Sequence, residues 1–476
     1  MGEQEQPQPT TIRIDTNLAN RIREELGQNV YLCYQCVKCT SGCPVGKYFD
    51  WQPNQIMRAV QLGQEDIALH AATPWLCAAC QTCTTRCPQG LDITAIMEFL
   101  TREALQRGIS PPVYEVAVFN KAFMREVRLW GRSYELGLMA EMKLRTLRTR
   151  SVLEDLDLGV KVIRKNKLPI IPEIARPPRK VKPLAGASKA VAYYPGCSLH
   201  STSKEFNISA QAVCRALGIS LIEPEGWVCC GSSAAHRSAP QDAVRLPMEN
   251  LSIIEQSGFE EVTMPCAACY NRHKAALYEI RHDEEHKAAV DAAIGYDYQD
   301  TVRVTSLGEM IFERVGPDRL AGQVRRPLTG VRLVCYYGCL LTRPPQVTGV
   351  LHPENPTEMD RLMTALGAEV IDWSYKTSCC GAAHSLTRPD IVLDLSSQLI
   401  RHAREAGAEV IAVACPLCHT NLDARQFQMK LETEMPVLYF TQLMAIALGL
   451  PEKDAALAKN LVDPRPFLRS KDLLSD

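Results

Sequence analysis

Two runs of a dozen residues constrain this chain more than anything else in it. Residues 33–44 read CYQCVKCTSGCP and residues 77–88 read CAACQTCTTRCP, each with cysteines at i, i+3, i+6 and i+10 and a proline after the last. Of the chain's 20 cysteines, these runs hold eight, and ten more fall in two later sets. The N-terminus, MGEQEQPQPTTIRIDT, has no apolar signal segment, and Gln6 breaks the myristoylation pattern, so it reads as a short disordered lead-in. The expected compartment is a reducing cytoplasm. Disulfides do not persist there, and metal or redox chemistry becomes the default role for the thiols.

The C-x2-C-x2-C-x3-C-P spacing is the bacterial ferredoxin run for two [4Fe–4S] cubanes. A tight loop brings three thiolates to one cluster, while the fourth, before the proline, reaches the other. By that logic Cys33, Cys36, Cys39 and Cys87 hold one cubane, and Cys77, Cys80, Cys83 and Cys43 hold the second. Zinc also takes thiolates, but its sites rarely use this triple spacing. Around the runs, NLANRIREELG, NQIMRAVQLGQEDIALHAA and ITAIMEFLTREALQRG carry apolar residues at helical period, so an all-α, ferredoxin-like domain is expected over 1–167. Its later part, 111–167, is helical with a basic bias. It reads as a solvated or partner-docking face, with an amphipathic membrane contact as the alternative. The prolines of LPIIPEIARPPRKVKPLAGAS (168–188) mark a stiff linker.

Beyond the linker the chain repeats. VAYYPGC (191–197), CRALG, SLIE, CCG and MPCAAC (264–269) are answered in the same order by VCYYGC (334–339), MTALG, AEVID, CCG and ACPLC (414–418). Helices ending in glycine followed by short β-branched runs predict two pseudo-symmetric α/β units with parallel sheets, at 189–330 and 331–476. The cysteines fall just after strands, at the carboxyl edge where open α/β folds place ligands. Each unit offers five: Cys197, Cys229, Cys230, Cys266 and Cys269 in the first, and Cys339, Cys379, Cys380, Cys415 and Cys418 in the second. Neighbouring side chains on an extended strand point apart, so an adjacent pair on one site requires a sharp turn. Gly231 and Gly381 let the backbone approach the bound group there. Five thiolates exceed what a cubane needs. Cys214, on a predicted helix, and Cys335, in a strand, read as core. His236 and His384 follow the CC pairs closely enough to protonate a departing thiolate at neutral pH, or else to cap a helix or satisfy local backbone. His273 and His419, after the C-x2-C pairs, read as structural.

From about residue 20 to 450 the chain resembles heterodisulfide reductase. The later sets look like the CCG domains of that enzyme's catalytic subunit, and the first block looks like its small two-cubane subunit fused ahead of them. The resemblance implies a non-cubane [4Fe–4S] cluster on each five-cysteine set, hence four clusters in all. It also implies an oxidoreductase acting on a sulfur group, in which a small-molecule disulfide is split or formed between the two later clusters. The gap of 34 residues between Cys380 and Cys415 is one short of the family's usual spacing. Relatives in the same family serve flavin dehydrogenases for glycolate, lactate, glycerol 3-phosphate or succinate, or sulfur-metabolism complexes, as electron carriers without a substrate of their own. Several of these have one incomplete set, whereas here both are complete.

No G-x-G-x-x-G follows a strand and opens a helix, so electrons must enter from another subunit. The resemblance offers a flavin-containing electron donor like the one in heterodisulfide reductase, or a membrane b-type cytochrome that would hold this chain at the inner face of a membrane. A formal net charge of -1 gives no reason to expect nucleic acid. VLYFTQLMAIALGL (437–450) is shorter than the roughly 20 residues a membrane span takes and reads as a buried helix. The last residues, DPRPFLRSKDLLSD, read as an exposed tail.

Overall fold

The computed structural model describes residues 16–146, 158–169, 171–178 and 180–474. The lead-in and the stretch 147–157 lie outside them. In the first block the helical period is realised in Asn17–Leu26, Pro53–Gln61 and Ile93–Gln106. Gly27 stops the first of these in the left-handed region, Pro53 opens the second, and the Asp92 carboxylate caps the third by accepting from Ala95 N at 2.9 Å. Their apolar faces bury Leu18, Ile22, Ile56, Met57, Ile96 and Phe99 in one core. The cysteine runs loop between these helices. Each middle cysteine is bracketed by left-handed residues, Gln35 and Val37 around Cys36, and Ala79 and Gln81 around Cys80. For a β-branched residue such as Val37 that conformation is costly, and it persists because the loop must turn twice within three residues.

The repeat folds into two four-stranded, all-parallel sheets. The first contains β1 (Val191–Tyr193), β2 (Leu221–Ile222), β3 (Glu261–Met264) and β4 (Arg303–Ser306), in the order β2-β1-β3-β4. The second contains β5 (Arg332–Tyr336), β6 (Glu369–Val370), β7 (Val410–Val413) and β8 (Val437–Tyr439), in the matching order β6-β5-β7-β8. Equivalent registers pair Ala192 with Val262 and Leu333 with Val410. The central strands β3 and β7 are buried along their whole length, as parallel strands covered by helices on both faces must be. The units share a core: Phe206 of the first stacks on Tyr439 of the second at 4.1 Å, and Ser209 Oγ meets Thr441 Oγ1 at 2.7 Å.

Four segments depart from their sequence reading. The helices Tyr114–Trp130, Glu135–Thr146 and 158–164 are not a solvated face, because their apolar residues Phe119, Phe123, Leu138, Met139 and Val162 turn inward over the cysteines of the α/β units. In the linker, Ala175 N donates to Trp130 O at 2.7 Å, and the chain runs so close to Gly226 that a Cβ there would stand 2.5 Å from Pro178 Cδ. The C-terminal residues pack rather than trail, with Leu468 and Leu473 buried and Lys471 Nζ on Glu409 at 2.9 Å. The segment 437–450 opens with β8 before the buried helix Phe440–Ala447. Among the described residues no helix is long and apolar enough to cross a membrane.

Candidate functional site

The two ferredoxin-type loops interlock. Cys43, last in the first run, lies beside the thiols of Cys77 and Cys80, and Cys83 lies among Cys77, Cys80 and Cys43. Cys39 neighbours Cys33 and Cys36, while Tyr34 feels both Cys36 and Cys87. The first loop is on the surface, with Cys36, Tyr31 and Tyr34 exposed. The second is largely buried, and its Cys80 thiol lies beside Cys379 of the second unit. That contact places the first block against the second five-cysteine set. It is reinforced by Arg343, which reaches Thr82 Oγ1 at 2.9 Å and Thr377 O at 2.8 Å.

All ten cysteines of the two five-cysteine sets line a single cavity of about 290 Å³. The repeat builds both walls alike. Tyr194 Oη donates to Val228 O at 2.7 Å and Tyr336 Oη to Ser378 O at 2.6 Å, so a strand-end tyrosine pins the residue before each CC pair. Cys230 Sγ and Cys269 Sγ stand 3.6 Å apart, and Cys380 Sγ and Cys418 Sγ 3.5 Å. Gly231 and Gly381, both at positive φ, turn the chain after the pair, and the Gly381 N–H donates to Cys379 Sγ at 3.3 Å. Cys266 and Cys415 stand at the cap positions of the helices Ala267–His282 and Pro416–Asp423. The roof contributes too, because Ser133 N lies 3.4 Å from Cys197 Sγ.

Sequence reading missed two glycines. A Cβ on Gly196 would lie 2.8 Å from Cys269 Sγ, and one on Gly338 would lie 2.9 Å from Cys418 Sγ, both at positive φ. The available signal was a glycine directly before Cys197 and Cys339 in both copies.

Hydrogen bonds from Cys229 hold the Cys230 thiol well below its ordinary range, and those from Cys418 lower Cys380 and Cys415 in the same way. Their donors are pushed up in turn: Cys229 by its bonds to Cys197 and Cys230, and Cys418 by its bonds to Cys380 and Cys415, with burial adding to both. Within each set several buried thiols thus lie close enough to perturb one another's protons, which a thiolate-binding metal group would displace. Five such thiols, with glycine in place of any Cβ that would crowd them, fit an iron–sulfur group better than a four-ligand zinc site.

The structure places His236 and His384 outside this cavity. After the left-handed glycines, short helical turns carry both rings toward the first block. His384 Nε2 is 2.8 Å from Leu76 O, and burial lowers its pKa to about 4. His236 Nδ1 is 3.9 Å from Glu98 Oε2, and burial holds it well below the ordinary range. Both are neutral at pH 7 and sit at the seam between blocks. His273 Nδ1 meets Cys269 O at 2.7 Å and His419 Nε2 meets Val437 O at 3.0 Å, both buried. Cys214 and Cys335 are buried in the core away from the cavity. A larger cavity of about 390 Å³, bounded by Tyr270, Leu341 and His352, has no cysteine in its wall, and its Glu309 and Glu313 are engaged with Ser306 and Arg303.

Comparison with known proteins finds matches in three regions of the chain. Residues 191–272 and 333–423 each match the cysteine-rich domain family, CCG, and residues 32–92 match the 4Fe-4S dicluster domain. The chain is 32% identical over 282 residues to the 8-methylmenaquinol:fumarate reductase membrane anchor subunit of Wolinella succinogenes, covering 58% of this chain and 98% of that one. It is 26% identical to the B component of the ferredoxin/F420H2-dependent CoB-CoM heterodisulfide reductase of Methanosarcina acetivorans, over 57% of this chain and 94% of that one. It is also 29% identical over 102 residues to the C component of the H2:CoB-CoM heterodisulfide,ferredoxin reductase of Methanothermobacter marburgensis, covering 21% of this chain and 55% of that one.

Proposed function

Because this chain belongs to the family of iron–sulfur proteins with paired CCG domains that includes the B component of heterodisulfide reductase, we propose that it is the electron-relaying, disulfide-handling subunit of an oxidoreductase complex. The observation that carries this reading is the one cavity lined by both complete five-cysteine sets. In this reading Cys33, Cys36, Cys39 and Cys87 hold one cubane and Cys77, Cys80, Cys83 and Cys43 the other, while Cys197, Cys229, Cys230, Cys266 and Cys269 and their counterparts Cys339, Cys379, Cys380, Cys415 and Cys418 hold two non-cubane clusters. When bound, these groups supply one-electron transfer and iron with an affinity for sulfur.

The chain's own residues arrange the rest. The Cys80 to Cys379 contact supports a hand-over between the first block and the second set, and the exposed loop around Tyr34 and Cys36 suits the arrival of electrons from a partner. Phe119, Phe123, Leu138, Met139 and Val162 give the cavity an apolar roof. Cleaving a disulfide there consumes two electrons and two protons and releases two thiols. Ferredoxin-type potentials near −400 mV against dithiol couples of about −180 to −270 mV leave roughly 6 to 10 kcal/mol for the two-electron step. The partners in this reading are a flavin-containing subunit or a membrane b-type cytochrome, with the chain itself on the cytoplasmic side.

A second reading rests on the relative at 32% identity, whose name makes it a subunit of a quinol-linked fumarate reductase. By analogy this chain would be a conduit between a flavin dehydrogenase and a quinone. The two readings separate in an anaerobic assay of the isolated, iron-loaded chain with reduced methyl viologen and bis(2-hydroxyethyl) disulfide. Thiol release by the chain alone supports the disulfide reading. A chain inert until its dehydrogenase is added supports the conduit.

A further inference from the structure

Glu135 is the first residue of the roof helix Glu135–Thr146 and lines the cavity shared by the two cysteine sets. Its Oε1 accepts the Thr202 hydroxyl at 3.2 Å, and its Oε2 is shut off from solvent with no hydrogen-bond partner among the described residues. An enclosed carboxylate oxygen without a donor is costly, whereas a neutral carboxylic acid in the same place is not and has a proton to give. Neither histidine that follows a CC pair lines the cavity. Of its wall cations, Arg237 donates to Cys77 O and Arg425 to Ser385 O at 2.6 Å.

We propose that Glu135 is the acid–base residue of the cavity, exchanging a proton with sulfur held between the two cysteine sets. The proposal rests on the disulfide reading above. In the reductive direction the S–S bond breaks and two electrons arrive one at a time from the donor, reduced methyl viologen in the assay. One sulfur takes the Glu135 proton, the other takes a proton after Glu135 is recharged from solvent, and two thiols leave.

The groups facing Glu135 are few. Thr202 and Ser201 offer hydroxyls from the segment after Cys197, and Lys167 lies beyond the roof. Glu126 is on the preceding helix, Tyr114–Trp130. Lys167 is already committed to Glu205 at 2.7 Å, so its charge is largely compensated. Burial therefore outweighs the hydroxyls and Lys167 and pushes the Glu135 carboxyl up to about 7. Such a group donates below pH 7 and accepts above it.

The test uses the iron-loaded full chain and the variants Glu135→Gln and Thr202→Val. In viologen-driven reduction of bis(2-hydroxyethyl) disulfide, the wild-type rate is expected to fall about tenfold per pH unit above pH 7. Glu135→Gln is expected to be roughly 100-fold slower and flat between pH 6 and 8. Thr202→Val keeps the acid but removes a hydrogen bond to its ionised form, so its falling limb moves to higher pH. A readout without turnover is the reduced-minus-oxidised infrared difference spectrum, where a protonated-carboxyl signal present in wild type is missing from Glu135→Gln. A Gln variant with wild-type pH slope and an unchanged infrared signal overturns the proposal. A wild type that cleaves no disulfide yet shows the Glu135-dependent signal sinks the disulfide reading while still supporting redox-linked proton exchange at Glu135.

Discussion

At Gly338 the backbone is left-handed, and a methyl group would stand 2.9 Å from the sulfur of Cys418. Gly338→Ala therefore combines a φ penalty on the order of 1–3 kcal/mol with a collision at one thiol. It is expected to lose the iron of the second five-cysteine set, about four atoms per chain, while far-ultraviolet circular dichroism stays unchanged. Gly330→Ala, at a similar positive φ but in open space, is the control and should keep all its iron. Full iron in Gly338→Ala would show that the glycine serves only the turn. The CC pairs and their glycines were legible in the sequence because local spacing defines them. Gly338 was not, because what forbids its Cβ is a thiol on a distant loop.

His384 shows the same limit. Its distance along the chain from the CC pair was readable, but not that its ring would be claimed by Leu76 O. Its pKa in the folded chain, about 4, lies below the unfolded value near 6.5. The stability it contributes is therefore present above pH 6.5 and lost as pH falls toward 4, by up to about 3 kcal/mol. Glutamine keeps a donor for Leu76 O and does not titrate. Denaturant unfolding should show wild type losing stability relative to His384→Gln between pH 7 and 4.5. A difference that stays constant with pH would contradict the seam role.

Among elements, the roof helices were visible as helices and misread as a surface. The 3.6-residue period fixes that Tyr114–Trp130 has an apolar face, but the partner of that face lies in units the period does not describe. Phe123, buried over the cavity, makes the role testable. Phe123→Ala is expected to cost roughly 3–5 kcal/mol and to open the cavity to water and oxygen. The variant should lose iron from the ten-cysteine cavity in air faster than wild type, with the ferredoxin-type loops unaffected, as followed by visible absorbance and labile-sulfide assay. Equal rates of loss from both regions would mean that the helices do not seal the cavity. The brief strand β8 escaped the reading for a simpler reason: Val437–Tyr439 continues without a break into an equally apolar helix.

For the molecule as a whole, the repeat foretold two like units, and two sheets of identical strand order followed. Their pseudo-symmetry allowed the two sites to face each other, as they do around one cavity, but it did not specify the geometry of that meeting. That depends on how the units pack, through contacts such as Phe206 on Tyr439, and on the first block docking at the second set through Cys80 and Cys379. These are side-chain matches between distant segments, and no local period encodes them.

The joint use of that space is the central claim. Its most direct test is the rate of viologen-driven disulfide cleavage in two iron-loaded variants, Cys230→Ala and Cys380→Ala, each crippling one set. If the two sets act together on one disulfide, either substitution alone lowers turnover by at least about 100-fold while the ferredoxin-type clusters still reduce. Turnover near the wild-type rate in either variant would contradict the claim, because one set would then suffice.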